Sequence, residues 1–371
     1  MTETIKKTLR DSAAARWTVL LFLAFAMFCS YIFMDILSPI KDLMQSTRGW
    51  DSTAFGTMQG SETFLNVFVF FLIFAGIILD KMGVRFTAVL SGFVMLIGAT
   101  INWYAVTEQF IGSGLETWFN NNLNYIPGFD ELGISPFYEG MPASAKFAAI
   151  GFMIFGCGVE MAGITVSRGI VKWFKGREMA LAMGSEMALA RLGVATCMIF
   201  SPVFAKLGGD IDVSRSVAFG VVLLLIALIM FIVYFFMDKK LDAQTGEAEE
   251  KDDPFKISDL GKILSSGGFW LVALLCVLYY SAIFPFQKYA VNMLQCNLTF
   301  TKLSPDSFWA TNTVTVIQYC IMLVVAAAAF ASNFAKNKSL RATYLITAVV
   351  ALVVFCYMGY MRQSAETVFA V

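Results

Sequence analysis

A chain of 371 residues that is 58% hydrophobic and 15% charged, with a mean hydropathy of +0.70, carries too much apolar surface for a water-soluble domain. Its 27 basic and 27 acidic residues cancel, so net charge points to no polyanionic partner. There is no histidine, which removes the commonest metal ligand and any imidazole proton relay; coupling protons, where used, have to be carried by carboxylates.

The first apolar segment, 17–39, follows MTETIKKTLRDSAAAR and shows no small-residue cleavage site, so it reads as a retained helix with Pro39 at its end. Eight more follow, at 54–79, 86–106, 146–171, 179–205, 215–237, 267–293, 307–332 and 342–361. Each is long enough to cross a hydrocarbon core of about 30 Å. Each is predicted helical, because backbone polar groups in lipid must be satisfied within their own segment. The runs are too long for barrel strands and do not alternate. The expected fold class is an all-α membrane protein with nine transmembrane helices. Seven cysteines are scattered among these segments without a C-x-x-C spacing, and read as small packing residues.

Lys and Arg gather on one side of these segments, among them Lys6, Lys7, Arg10, Lys81, Arg85, Lys172, Lys175, Arg177, Lys239 and Lys240. The positive-inside bias then predicts a cytoplasmic N-terminus and a multi-pass protein of the cytoplasmic membrane. A charged stretch, DKKLDAQTGEAEEKDDPFKISDLGK, separates six segments from the last three. The expected organisation is a six-helix half over 1–237, a linker over 238–266 and an incomplete second half over 267–371. Nine spans leave Val371 on the outer side, so the sequence reads as lacking the remainder of that second half.

Charges inside the apolar segments carry the functional expectation. Glu160 and Arg191 flank the loop centred near 175–176 and lie about fifteen residues from it, roughly 23 Å at ~1.5 Å per residue. Opposite charges at matched depth are costly there, and mark a substrate site or a salt bridge between neighbouring helices. An Arg fork suits a carboxylate and a Glu suits an ammonium. Asp35, Glu62 and Lys288 lie in the outer half; Asp35 and Lys288 read as snorkelling to the outer interface or as contacting substrate, and Glu62 as contacting substrate or as a helix-packing hydrogen bond. Arg168, Glu178 and Glu186 read as helix-end ion pairs between segments 4 and 5. No phosphate loop, metal cluster or nucleophile triad is visible, so neither an enzyme, a cofactor nor a nucleic-acid partner is expected. The expected partners are a small-molecule substrate and the lipid bilayer.

The loop after segment 2, GIILDKMGVR, supplies Gly76, Asp80, Lys81, Gly83 and Arg85. Its glycines let helix ends approach and turn. The loop resembles the G-x-x-x-D-[RK]-x-G-[RK]-[RK] signature of the major facilitator superfamily, departing from it at Val84. The resemblance implies that family's fold, secondary active or facilitative transport by alternating access, and a gating role for these five residues. GxGxE at 156–160, WFKGRE at 173–178, Gly184, ARLG at 190–193, YIFMDILSPIKDLMQ and the Asn66-Val67 pair are similar to the dipeptide-transporting branch of that superfamily, with FPF at 284–286 a weaker match. That likeness implies that Glu160 and Arg191 hold the charged ends of a dipeptide or other small zwitterion, and that segments 1 and 7 line the cavity, where Asp35 and Lys288 could face each other as an outer gate or contact substrate. The alternatives are an organic or inorganic anion carrier of the same superfamily, or a membrane sensor or structural subunit without transport. The loop after segment 8 lacks an echo of the signature, so segments 8 and 9 read as an inserted helical hairpin, with the family's own helices 8 and 9 as the alternative.

Overall fold

The computed structural model describes residues 8–245, 261, 263–298 and scattered positions between 324 and 353, and every regular element among them is helical. By contact the chain divides into two compact units, 1–288 and 289–371. Segments 8 and 9 fall largely outside the described residues. Six helices among the described residues are long and apolar enough to cross a membrane. Large apolar side chains such as Leu21, Phe93, Ile97, Val222, Leu225 and Phe236 stay exposed on them. Such faces suit lipid and not water.

Helix α1 (Ala13–Met34) starts at Ser12, whose hydroxyl accepts from the Ala15 amide and satisfies one of the free N–H groups of the first turn. Segment 1 does not end at Pro39 as its sequence suggests. The chain bends at Asp35, passes through a 3-10 turn over Ser38–Ile40 and resumes as α2 (Lys41–Arg48). Pro39 fits inside that turn, where its missing N–H costs little.

Segment 2 is not one helix either. It is built from α3 (Ser52–Gly60), a 3-10 turn over Ser61–Thr63, the short α4 (Phe64–Phe68) and the start of α5 (Phe71–Ala105). Phe70, with φ 55° and ψ 36°, takes the left-handed conformation between α4 and α5. Within α5 the helical path breaks at Gly83, whose φ of 81° and ψ of 166° join the end of segment 2 to segment 3. Only glycine adopts that geometry without a Cβ clash.

The loop after α5 carries α6 (Gly114–Asn122). Phe110 and Phe119 pack there with Tyr104 and Phe147, and the buried Lys146 ammonium donates to Asn124 Oδ1 at 2.8 Å. Then come α7 (Ala143–Phe174), α8 (Met179–Ala205), α9 (Val213–Thr245) and α10 (Gly267–Leu298). Helix α9 runs on past position 237, into the stretch that its charge marks as linker.

Packing follows small residues and not chain order. Helix α5 lies against α7 and α9, and α1 against α8 and α9. The sequence neighbours α7 and α8 touch only slightly. A Cβ on Gly193 would overlap the Phe28 carbonyl oxygen, so the glycine of ARLG is what seats α8 on α1.

Candidate functional site

At the Asp80 end of the first unit, ion pairs tie the helices together. Asp80 receives the Arg168 guanidinium at 2.5 Å. Arg85 reaches Asp242 at 2.9 Å, and Lys172 bridges Asp238 at 2.6 Å and Asp242 at 2.8 Å. Asp238 is fully buried and also accepts from the Trp173 indole at 2.7 Å. Sequence reading misses this carboxylate because it stands at the start of an obviously charged run. The signal that could have found it is the i, i+4 spacing of Asp238 and Asp242, which puts both on one helix face.

Arg177 pairs with Asp11 at 2.6 Å, and Glu178 with Arg16 at 3.3 Å. The expected ion pairs between segments 4 and 5 are therefore replaced. Arg168 goes to α5 and Glu178 to the start of α1, because α8 packs on α1 and not along α7. Glu186 is buried in α8 and joins none of the ion pairs among the described residues. Of the other signature residues, Lys81 is exposed, and a Cβ on Gly76 would meet nothing among the described residues. The sequence leads one to expect close approach at Gly76; the conformational demand lies at Gly83.

A second polar group forms where α1 and segment 2 are interrupted, with α10 supplying its cation. Asp35 stands at the α1–α2 bend, Glu62 in the 3-10 turn of segment 2, and Lys288 just after Pro285 in α10. The Lys288 ammonium lies 3.7 Å from Asp35 Oδ1, 3.5 Å from Glu62 Oε2 and 3.5 Å from Gln59 Oε1. It also sits 5.7 Å from the centre of the Phe152 ring. Ser38 donates to Asp35 and accepts from the Gln59 amide at 3.1 Å. Asp35 and Lys288 face each other as the family resemblance leads one to expect. The convergence of Glu62 on the same ammonium is new.

Gly156 fixes Glu62 in place. A Cβ there would overlap the Glu62 carbonyl oxygen, lie 2.8 Å from its carbonyl carbon and 3.1 Å from its Cγ. The first glycine of GxGxE thus admits the interrupted backbone of segment 2 against α7. One turn further along α7 stands Glu160.

Glu160 and Arg191 do not form the salt bridge that a purely structural pair would make. Both are half-buried, and neither joins an ion pair among the described residues. Arg191 instead lies 5.3 Å from the centre of the Tyr31 ring. Such stacking holds a guanidinium plane while leaving its edge N–H groups available. Tyr31 is also within electrostatic reach of Glu160, Glu186 and Glu62. No group of three or more potential metal ligands is found among the described residues.

Comparison with known proteins agrees with this helical, multi-pass arrangement. The zebrafish (Danio rerio) lysosomal dipeptide transporter MFSD1 is 25% identical over 282 residues, 73% of this chain and 52% of its own. The human (Homo sapiens) lysosomal dipeptide transporter MFSD1 is 23% identical over 282 residues, 74% of this chain and 52% of its own. The chicken (Gallus gallus) protein of the same name is 30% identical over 145 residues, 37% of this chain and 32% of its own. The chain thus spans about half the length of the curated relatives that it matches most extensively. A sequence profile described as Major Facilitator Superfamily matches residues 23–370. On that match, which covers nearly all of its helices, the chain belongs to the Major Facilitator Superfamily.

Proposed function

We propose that this chain forms the ligand-binding helices of a transporter that moves small zwitterions, short peptides foremost, by alternating access. One observation carries the reading. Asp35, Glu62, Lys288, Asp80 and Arg168 all have ionic partners, whereas Glu160 and Arg191, of opposite sign and both half-buried, have none among the described residues. Unpaired charges in a membrane span are costly unless a ligand or a wet cavity answers them. A dipeptide offers an ammonium to Glu160 and a carboxylate to the fork of Arg191, whose plane Tyr31 supports. Relatives named as dipeptide transporters support the same ligand class.

In this reading the helices up to α9, which runs on to Thr245, form the first half, the charged stretch after them is a linker, and 267–371 belongs to a second half. The protein sits in the cytoplasmic membrane with its N-terminus and the Asp80 loop inside. The ion pairs at the Asp80 end then make the first half move as one body. Asp35 and Lys288 act as a gate on the outer side.

Counterflow of labelled dialanine into vesicles holding the full-length protein tests the assignment. Arg191→Ala and Glu160→Gln should each lower it at least about tenfold, since a hydrogen bond to a charged group contributes about 1.5–3 kcal/mol. Undiminished counterflow in both variants would refute the site.

A further inference from the structure

One ammonium lies between two carboxylates in the core of the first unit. The Asp35 and Glu62 side chains are 4% and 7% exposed and Lys288 is 15% exposed, so all three are largely out of solvent. With both acids ionised, the two carboxylates outnumber the one ammonium. Burying an unbalanced charge is costly even after the surroundings relax. A metal cation does not suit the place, because Lys288 already fills the space within 3.5–3.7 Å of both acids. A proton balances the charge without needing volume.

The two acids are not equivalent. Asp35 has a second donor in the Ser38 hydroxyl, whereas Lys288 is the one side-chain donor to Glu62 among the described residues. Glu62 also faces Glu160 of α7 and Asp35 from the α1–α2 bend, both of like charge, and Tyr31 of α1 lies within electrostatic reach. Asp35 additionally lies within reach of Arg191 of α8, and Cys197 of α8 lies near Asp35 and Lys288. The balance of neighbours supports Asp35 as the anion and Glu62 as the acid that holds the proton.

We propose that Asp35, Glu62 and Lys288 form a proton-exchange site in which Glu62 takes up and releases one proton per transport cycle. This rests on the transport reading above and names the ion that drives it. Asp35 and Glu62 stand where their helices are interrupted, and Lys288 follows Pro285 in α10; at such breaks elements can shift relative to each other. With Lys288 between the two acids, as here, its charge offsets Asp35, and Glu62 holds a proton taken from one side of the membrane. When Lys288 shifts from Asp35 onto Glu62, its charge favours the Glu62 carboxylate and the proton leaves to the other side, Asp35 keeping the Ser38 hydroxyl as its donor.

The test uses full-length protein in proteoliposomes, with the membrane potential clamped by potassium and valinomycin and a pH dye inside. An acid exterior should raise the steady-state dialanine ratio about tenfold per pH unit at one proton per dipeptide, with matching internal acidification. Glu62→Gln should remove both the gradient response and the dye signal, and Glu178→Gln should keep them. If Glu62→Gln is lost from the membrane, Asp35→Asn makes the same measurement. Counterflow without any gradient response in the parent protein would overturn the proton site alone, as would a full gradient response in Glu62→Gln or, where that variant is lost from the membrane, in Asp35→Asn. Absence of counterflow in the parent would remove the transport reading and this proposal together.

Discussion

Two glycines of α7 should respond to the same substitution with opposite sign. Gly156 faces the backbone of Glu62, and Gly163, on the same helix, has nothing within 4 Å of an added Cβ. In Gly156→Ala the new methyl would overlap the Glu62 carbonyl oxygen and lie 2.8 Å from its carbon, where ordinary contact begins near 3.4 Å. Both are backbone atoms that no rotamer change can move. Relieving the overlap means parting α7 from the Ser61–Thr63 turn, and overpacking of this kind costs about 1–3 kcal/mol. Gly163→Ala adds only helix propensity and should stabilise by up to about 1 kcal/mol. The displaced turn also carries Glu62, which sits 3.5 Å from Lys288 and has little distance to spare. Thermal unfolding in detergent, followed by tryptophan fluorescence, should rank Gly163→Ala at or above the parent and Gly156→Ala clearly below it. Equal stability of the two variants would refute the close packing of α7 on this turn.

Two further outcomes concern the Asp80 end and the start of the chain. Asp238→Ala should lower stability by about 3 kcal/mol, toward the lower bound for breaking a buried pair, because Lys172 and Arg85 retain Asp242; an unchanged unfolding temperature would contradict it. Asp11 is held below the ordinary aspartate value chiefly by the Thr8 amide, then by the Thr8 hydroxyl, with Arg177 adding less. A depressed acid stabilises the folded form above its unfolded value, and that contribution is lost as pH falls through the folded value. A nitroxide at position 9 should therefore stay immobile from neutral pH down into the ordinary aspartate range and be released only below it. Release well above that range would show that Asp11 is not what ties the segment down.

Long apolar runs and charge bias suffice to find most of the spanning helices among the described residues and to single out the charges within them. Asp35 and Lys288 fall in the outer half of their segments, but only the family resemblance, which brings segments 1 and 7 to one cavity, suggests that they could meet; they lie 3.7 Å apart. Glu62 is harder to read, since the Gly60, Ser61 and Thr63 around it are also tolerated within a membrane helix and the run from 54 to 79 passes for one unbroken span. That turn depends on the absence of a side chain at Gly156, far along the chain, which local pattern cannot reveal. Residue counting from the loop sets Glu160 and Arg191 at one level, but pairing them assumes that neighbours in the chain pack together. Helix choice of partner is decided by where backbones can approach, and Gly193 sends α8 to α1.

The interruption at Asp35–Ile40 sets thermal hardening against site geometry. A helix advances about 100° per residue, so replacing Pro39 and its neighbours by strong helix formers would straighten the path and swing the Asp35 carboxylate around the axis. Variants chosen for higher melting temperature in this stretch should come out sturdier and misaligned, with Lys288 left to Glu62 alone. For this chain, the residues that look least helical in an otherwise helical segment are the ones to leave untouched.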